Sequence, residues 1–181
     1  MKTCKVCEEK FTPKYTSMQK TCNNIDCAVV WGKQIQAKSY KAETKRLKRA
    51  GRDKDRSYWT KKAQQEFNKW IRIRDANKPC ISCGTLGPCQ WHAGHYKSVG
   101  AHPELRFNED NVHRQDAQCN GFKSGNIAEY RSRLQHRIGL ERLLALEGHH
   151  NKKKYTIDQL KEIVKIYRRR IKESNERSGK G

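Results

Sequence analysis

No stretch of this chain is apolar enough to span a bilayer. Its N-terminus lacks the basic-then-apolar layout of a signal peptide. Carboxylates are scarce, with 19 Asp and Glu against 40 Lys and Arg, a formal charge of +21. Apolar residues are scarce too, at 34% of 181 residues. A large autonomous core is therefore not expected, and small modules of this kind usually need metal or disulfide staples. There is no internal repeat, P-loop or Gly-rich nucleotide fingerprint. No membrane-spanning helix and no phosphate-cradling loop is therefore expected. The cationic excess predicts affinity for phosphate backbones that falls steeply with salt. Nucleic acid is favoured over an anionic membrane. Without a signal peptide a reducing cytoplasm is expected, where paired cysteines more often hold zinc than form disulfides.

Four segments are expected. Residues 1–28 carry Cys4, Cys7, Cys22 and Cys27 as CxxC, a spacer, then C-x4-C. Two close thiolate pairs suit one tetrahedral Zn²⁺. A structural knuckle is the simpler reading, and one that also touches DNA or a partner is the richer one. Residues 29–56 read as a basic helical linker without a broad apolar face. Residues 57–147 read as a core with flanking helices. Ser57 can cap a helix whose Trp59, Ala63, Phe67 and Trp70 share one face. Residues 80–123 suggest two short strands among glycine-punctuated loops. Asn126 and Glu129 resemble a capping box for a helix with Ile127, Tyr130, Leu134 and Ile138 on one side. Residues 148–181 form a last amphipathic helix that opens on a Thr156/Gln159 capping pair, with a frayed tail after Glu173. Its polar face carries Lys161, Lys165, Arg168 and Arg169, which with Lys97 and Lys123 are candidate DNA contacts.

The chemistry gathers between Cys80 and Asn126. A CxxC pair (Cys80, Cys83) opens the stretch and a CN-x-x-K turn (Cys119, Asn120, Lys123) closes it. His95 and Asn111 lie between. Staple, histidine, asparagine and returning cysteine is the order of an HNH, or ββα-metal, nuclease site. Phosphodiester hydrolysis needs an activated water, charge relief at phosphorus and help for the departing oxygen. His95 can take the proton from water, because imidazole titrates near working pH. Asn111 can hold its ring in the right tautomer. A divalent cation, Mn²⁺ or Mg²⁺, can bind the phosphate oxygens, with His92, Asn120 and His113 as candidate ligands. The expected fold class is α+β: a small zinc-stapled ββα-metal core flanked by helices, with a separate four-cysteine module.

The phrases PCISCGTL (79–86), QW-x-AGHY (90–96), LRFNEDNVH (105–113) and CN-x-x-KSGN (119–126) resemble the phage lambda NinG (Rap) recombination nucleases. SYW (57–59) and RIGLE (137–141) extend the likeness. The resemblance implies a structure-specific endonuclease acting on D-loops and Holliday junctions in the cytoplasm of a bacterial host, alongside phage or host recombination proteins. Two departures stand out. The family usually has a second CxxC where this chain has Asp116-Ala-Gln-Cys119. The second zinc would then use Cys80, Cys83 and Cys119 with Asp116 as fourth ligand, or Cys89, or His113. The family also usually has Asp where this chain has His92. Imidazole is a poorer ligand for Mg²⁺ than for Mn²⁺, so transition metals should be preferred. Two competing readings stand: a non-catalytic zinc protein binding branched or single-stranded DNA, and an RNA-binding regulator. Two nicks at a junction would suit a homodimer.

Overall fold

The computed structural model describes residues 1–122 and 125–178. It is a mixed α and β protein with two small two-stranded sheets. The chain divides into two compact units, Met1–Lys54 and Asp55–Gly181.

In the first unit, strand β1 (Lys2–Thr3) pairs antiparallel with β2 (Lys10–Phe11). Phe11 is buried against Cys4 and Cys27, a core too small to stand without a staple. Helix α1 (Ile25–Asp53) starts inside this module. The Asn24 side chain caps it, its Oδ1 accepting from Asp26 N at 2.7 Å. The expected division at 28/29 is therefore not seen: Cys27 sits in the first helical turn, and the basic stretch continues the cysteine module rather than linking it. Beyond Cys27 no described residue of α1 is buried.

Among the described residues of the second unit, two adjoining apolar clusters lie between its first and last helices and a further one lies apart. Helix α2 (Arg56–Arg74) buries Ala63, Phe67 and Ile71. Its cap is Asp55 and not Ser57, because the Asp55 carboxylate accepts from Ser57 N at 2.7 Å. Strand β3 (Trp91–His95) pairs antiparallel with β4 (Val112–Asp116), with His95 opposite Val112. Helix α5 (Ile157–Ser178) lays Leu160, Val164 and Tyr167 against α2. The C-terminal segment is thus a layer of this unit rather than an appendage. It stays helical past Glu173, where fraying was expected. The Thr156/Gln159 pair caps reciprocally, at 3.0 and 3.2 Å.

The cluster that lies apart joins Ile81, Tyr96 and Leu105 to Tyr130 and Leu134 of α3 (Ile127–Ile138) and to Leu143 and Leu146 of α4 (Leu140–Glu147). Burying each such large side chain contributes roughly 1.5–3 kcal/mol. The expected Asn126/Glu129 capping box is not made. Asn126 is left-handed (φ 47°), outside the extended conformation an N-cap adopts, and makes no side-chain cap.

A buried polar network sits where α2 meets β4. Asp75 is fully buried and takes Arg74, Lys78 and the Arg114 backbone N–H as partners, at 2.8, 3.0 and 3.1 Å. His113 lies against it, with Nδ1 3.0 Å from Arg74 and Nε2 3.1 Å from the Asp110 carbonyl.

Candidate active site and metal centres

Strand β3 ends at His95, and a π-helical turn (Gln118–Phe122) follows β4. Antiparallel pairing puts them at opposite ends of the hairpin, His95 against Val112 and Asp116 against Trp91, so the turn must fold back along the sheet for Asn120 to reach His95. Strand end and turn line one open cleft of about 540 Å³, with His95, Lys97, His102 and Asn120 on its walls. His95 Nε2 lies 3.1 Å from the Arg106 carbonyl. A carbonyl only accepts, so Nε2 carries the proton and Nδ1 keeps its lone pair. Among the described residues no group engages Nδ1. Burial pulls the His95 pKa down, partly offset by the Arg106 carbonyl, so the ring is below its ordinary range. Beside it, Asn120 Nδ2 donates to His92 Nδ1 at 3.2 Å. Phe122 closes the turn with its ring 91% exposed.

Asn111 does not orient His95. It is fully buried, its Oδ1 accepts from Lys97 N at 2.7 Å, and its Nδ2 donates to the Lys97 and Leu105 carbonyls at 3.0 and 3.2 Å. It ties the chain leaving β3 to the chain entering β4. That holds His95 and the Arg106 carbonyl in register, a positioning role in place of the expected ring contact. The part played by Arg106 is invisible in the sequence, since a backbone carbonyl has no sequence signature.

His113 is not a cation ligand either. Both ring nitrogens are engaged in the buried network, and Asp75 Oδ2 stands 3.5 Å from Nδ1. Burial, only partly offset by Asp75, pushes its pKa down.

The sulfurs gather as expected at the first metal site. Cys4, Cys7, Cys22 and Cys27 have their Sγ atoms within 4.8 Å of one another. Their chemistry fits a soft dication. The Cys4 pKa is lowered to about 6 despite burial, because backbone N–H groups of Cys7, Cys22 and Val6 point at it. Burial and neighbouring thiols push Cys27 up to about 12. Crowded sulfurs resist ionising together unless a cation sits among them.

At the second site Cys80, Cys83 and Cys119 gather to the same tolerance. Cys80 accepts from Asp116 N at 3.3 Å and Cys83 N at 3.5 Å, and these contacts outweigh burial and lower its pKa. Burial and the other thiols raise Cys119 to about 12. The expected fourth ligand is not gathered. The Asp116 carboxylate instead accepts from Gln118 N at 3.0 Å, capping the π-helical turn. Cys89 is close enough to raise its thiol pKa, after burial, through Asp116 and Cys80, but it does not join the three sulfurs.

Of the candidate DNA contacts, Lys97 lines the cleft. Lys123 lies outside the described residues. Arg168 is paired with Glu66 at 2.9 Å, and Lys161 covers the Trp59 ring at 5.2 Å. Lys165 and Arg169 are exposed beside Glu162 and Glu173, at 3.8 Å each. Arg168 and Lys161 therefore help to dock α5 on α2.

Comparison with known proteins agrees along nearly the whole chain. The family model described as Bacteriophage Lambda NinG protein matches residues 1–177. The chain is 50% identical to protein ninG of Escherichia phage lambda over 120 residues, 66% of this chain and 59% of that protein. It is 39% identical to protein ninG of Escherichia phage 933W, covering 94% of this chain and 92% of that one. It is 47% identical to protein ninG of Salmonella phage P22 over 120 residues, 66% and 59% of the two chains. No solved structure matches it. No described helix is long and apolar enough to cross a membrane.

Proposed function

The chain belongs to the bacteriophage lambda NinG family, and from that premise we propose that it is a metal-dependent, structure-specific DNA endonuclease of ββα-metal type. One observation carries the reading: His95, protonated at Nε2 by its bond to the Arg106 carbonyl, shares a cleft with Asn120. Its substrates are branched recombination intermediates such as D-loops and Holliday junctions. The branch preference rests on the family likeness, and the phosphate affinity on the charge of +21.

The chain's own residues divide the work as follows. His95 Nδ1 takes a proton from the attacking water, and Nε2–H keeps its bond to the carbonyl as the ring becomes cationic. Asn111 holds both partners of that bond in place. Lys97, on the cleft wall, attracts the phosphate. His92 and Asn120 would hold the divalent cation, which when bound supplies charge relief at the phosphate oxygens. The cleft lining holds no carboxylate, which fits Mn²⁺ better than Mg²⁺.

The same lack of a carboxylate favours a second reading, a non-catalytic zinc protein that binds branched DNA. One experiment separates the two. Labelled duplex, D-loop and four-way-junction DNAs are incubated with the protein in Mg²⁺ and in Mn²⁺, with His95→Ala alongside. Cleavage of branched DNA that vanishes in the variant while binding persists supports the nuclease. Tight binding without cutting in any metal supports the second reading.

A further inference from the structure

A second groove in the Asp55 unit shares no lining residue with the sulfur clusters. It has a volume of about 230 Å³ and runs between the start of α2, the turn at Pro103–Leu105 and the segment before α5. Arg56, Arg106, Lys152, Lys153, Lys154 and Tyr155 line it. We propose that this groove binds the phosphate backbone of the DNA strand that enters the His95 cleft. The proposal rests on the nuclease reading above and adds to it a strand-holding site outside the cleft.

Three observations carry it. First, none of these five cations is ion-paired to a carboxylate among the described residues, whereas Arg74, Arg131, Arg142, Arg168 and Arg170 all are. The nearest acid in sequence, Glu104, is turned toward His102 at 3.1 Å. Like charges around one small groove repel each other, and a polyanion relieves that repulsion. Second, the Arg106 guanidinium is partly buried with only a neutral partner, the Gln64 amide oxygen at 3.3 Å. Burial lowers its pKa with no carboxylate to compensate. A partly buried arginine without a counterion is suited to an anion supplied from outside. Third, the groove floor is fixed. Tyr155 donates to the Glu104 carbonyl at 3.0 Å, packs edge-on to Phe107 at 5.1 Å and carries Lys153 over its ring at 4.9 Å.

A DNA strand is the occupant because of what Arg106 does at its other end. Its side chain lines the groove while its carbonyl holds His95. A backbone gripped at the side chain is therefore held one residue's length from the base. The three consecutive lysines also spread charge over more than one phosphate, as a polymer requires and a single phosphate group does not.

The test is a fluorescence-anisotropy titration of a labelled four-way junction with no added Mg²⁺ or Mn²⁺ and no chelator, at several salt concentrations. Three proteins are compared: the full chain, its K152Q/K153Q/K154Q variant, and a control that loses three cations elsewhere (K69Q/K172Q/R177Q). Lys152–Lys154 are exposed and outside any helix or strand, so thermal melts should be unchanged. The groove variant should bind roughly tenfold or more weakly, and its log–log salt slope should shrink by about 2, near one unit for each phosphate no longer neutralised. The control should change less than about threefold. Equal losses in both variants would reduce the effect to bulk charge and overturn the groove. An unchanged groove variant, in a protein that binds and cuts junctions, would overturn the groove alone. A full-length protein that binds no junction would remove both the groove and the nuclease reading.

Discussion

The His95 ring hangs from the Arg106 carbonyl, 3.1 Å away, and this bond decides which nitrogen can act as a base. Because burial holds the His95 pKa below its ordinary range, the ring is neutral at neutral pH. As pH rises, the base-dependent limb of single-turnover cleavage should climb through a midpoint below the ordinary imidazole value and then level off. His95→Ala should lower the rate about 10²–10⁴-fold with binding retained. A limb centred above pH 7 would mean that another group is the base.

Asn111→Ala should act through the fold. It strands the Lys97 backbone N–H and carbonyl, while the Leu105 carbonyl keeps the Asn108 N–H. The expected cost is roughly 1–3 kcal/mol for each buried group left unsatisfied, read by denaturant unfolding, with a parallel fall in kcat. A variant of full stability that has lost only its pH limb would point to a direct role on the ring instead.

The Asp75 network should dominate the acid stability of the second unit. Burial alone would raise the Asp75 pKa, but the hydrogen bond and charge of Arg74 and the hydrogen bond of Lys78 outweigh it and hold the carboxyl well below its usual range. Its contribution is therefore complete above the unfolded value of about 3.9 and is lost as pH falls toward the lowered one. Asp75→Ala should cost about 1–3 kcal/mol for each buried donor left unsatisfied, the Arg114 backbone N–H among them, while Arg74 keeps Glu109 as a partner. His113→Gln should lower stability without changing metal preference, and an altered Mn²⁺ dependence would return His113 to the cation site.

Metal removal should act unequally. Chelation should unfold the four-cysteine module of the first unit. The second unit has cores of its own and should loosen mainly around Cys80–Cys83 and the turn at Cys119. Asp116→Asn and Cys89→Ser should each leave zinc stoichiometry near that of the parent, whereas Cys80→Ser should reduce it. Loss of one zinc equivalent in Asp116→Asn, measured by atomic absorption, would make Asp116 a ligand.

Gly94 pairs with His113 across the hairpin, and the Gln115 side chain reaches it diagonally, so that an added Cβ would come within 1.8 Å of the Gln115 amide oxygen. Gln115 cannot swing away cheaply, since its Nε2 donates to Ser82 Oγ and the Gly125 carbonyl at 2.6 Å each. Gly94→Ala should therefore destabilise by about 1–3 kcal/mol. A melting curve matching the parent would show that the hairpin can shift.

Much of this arrangement is legible in the residues. The two strands, the His95 strand end, the four-sulfur cluster and the Thr156 cap follow from spacing and local chemistry. So do the apolar faces of α2 and α5, although not that they face each other. What escapes depends on contacts distant in sequence. Asn111 and His113 have the residue types of a site, yet one serves as a loop staple and the other as a buried partner of Asp75. Nothing local marks the Arg106 carbonyl. The position of Asp116 suggests zinc, although its carboxylate is spent on a turn. The helix beginning at Ile25 is hidden because the cysteine spacing suggests a self-contained knuckle.

That helix start has a consequence for folding order. Forming the first turn of a helix is the unfavourable step, and each further residue then adds at little cost. In α1 the first turn contains Cys27, so a metal gripping that sulfur would hold the nucleus in place. The helix of 29 residues built on that nucleus extends about 43 Å at 1.5 Å per residue. Zinc would then act as the switch for a long cationic rod that has almost no buried face of its own to keep it wound.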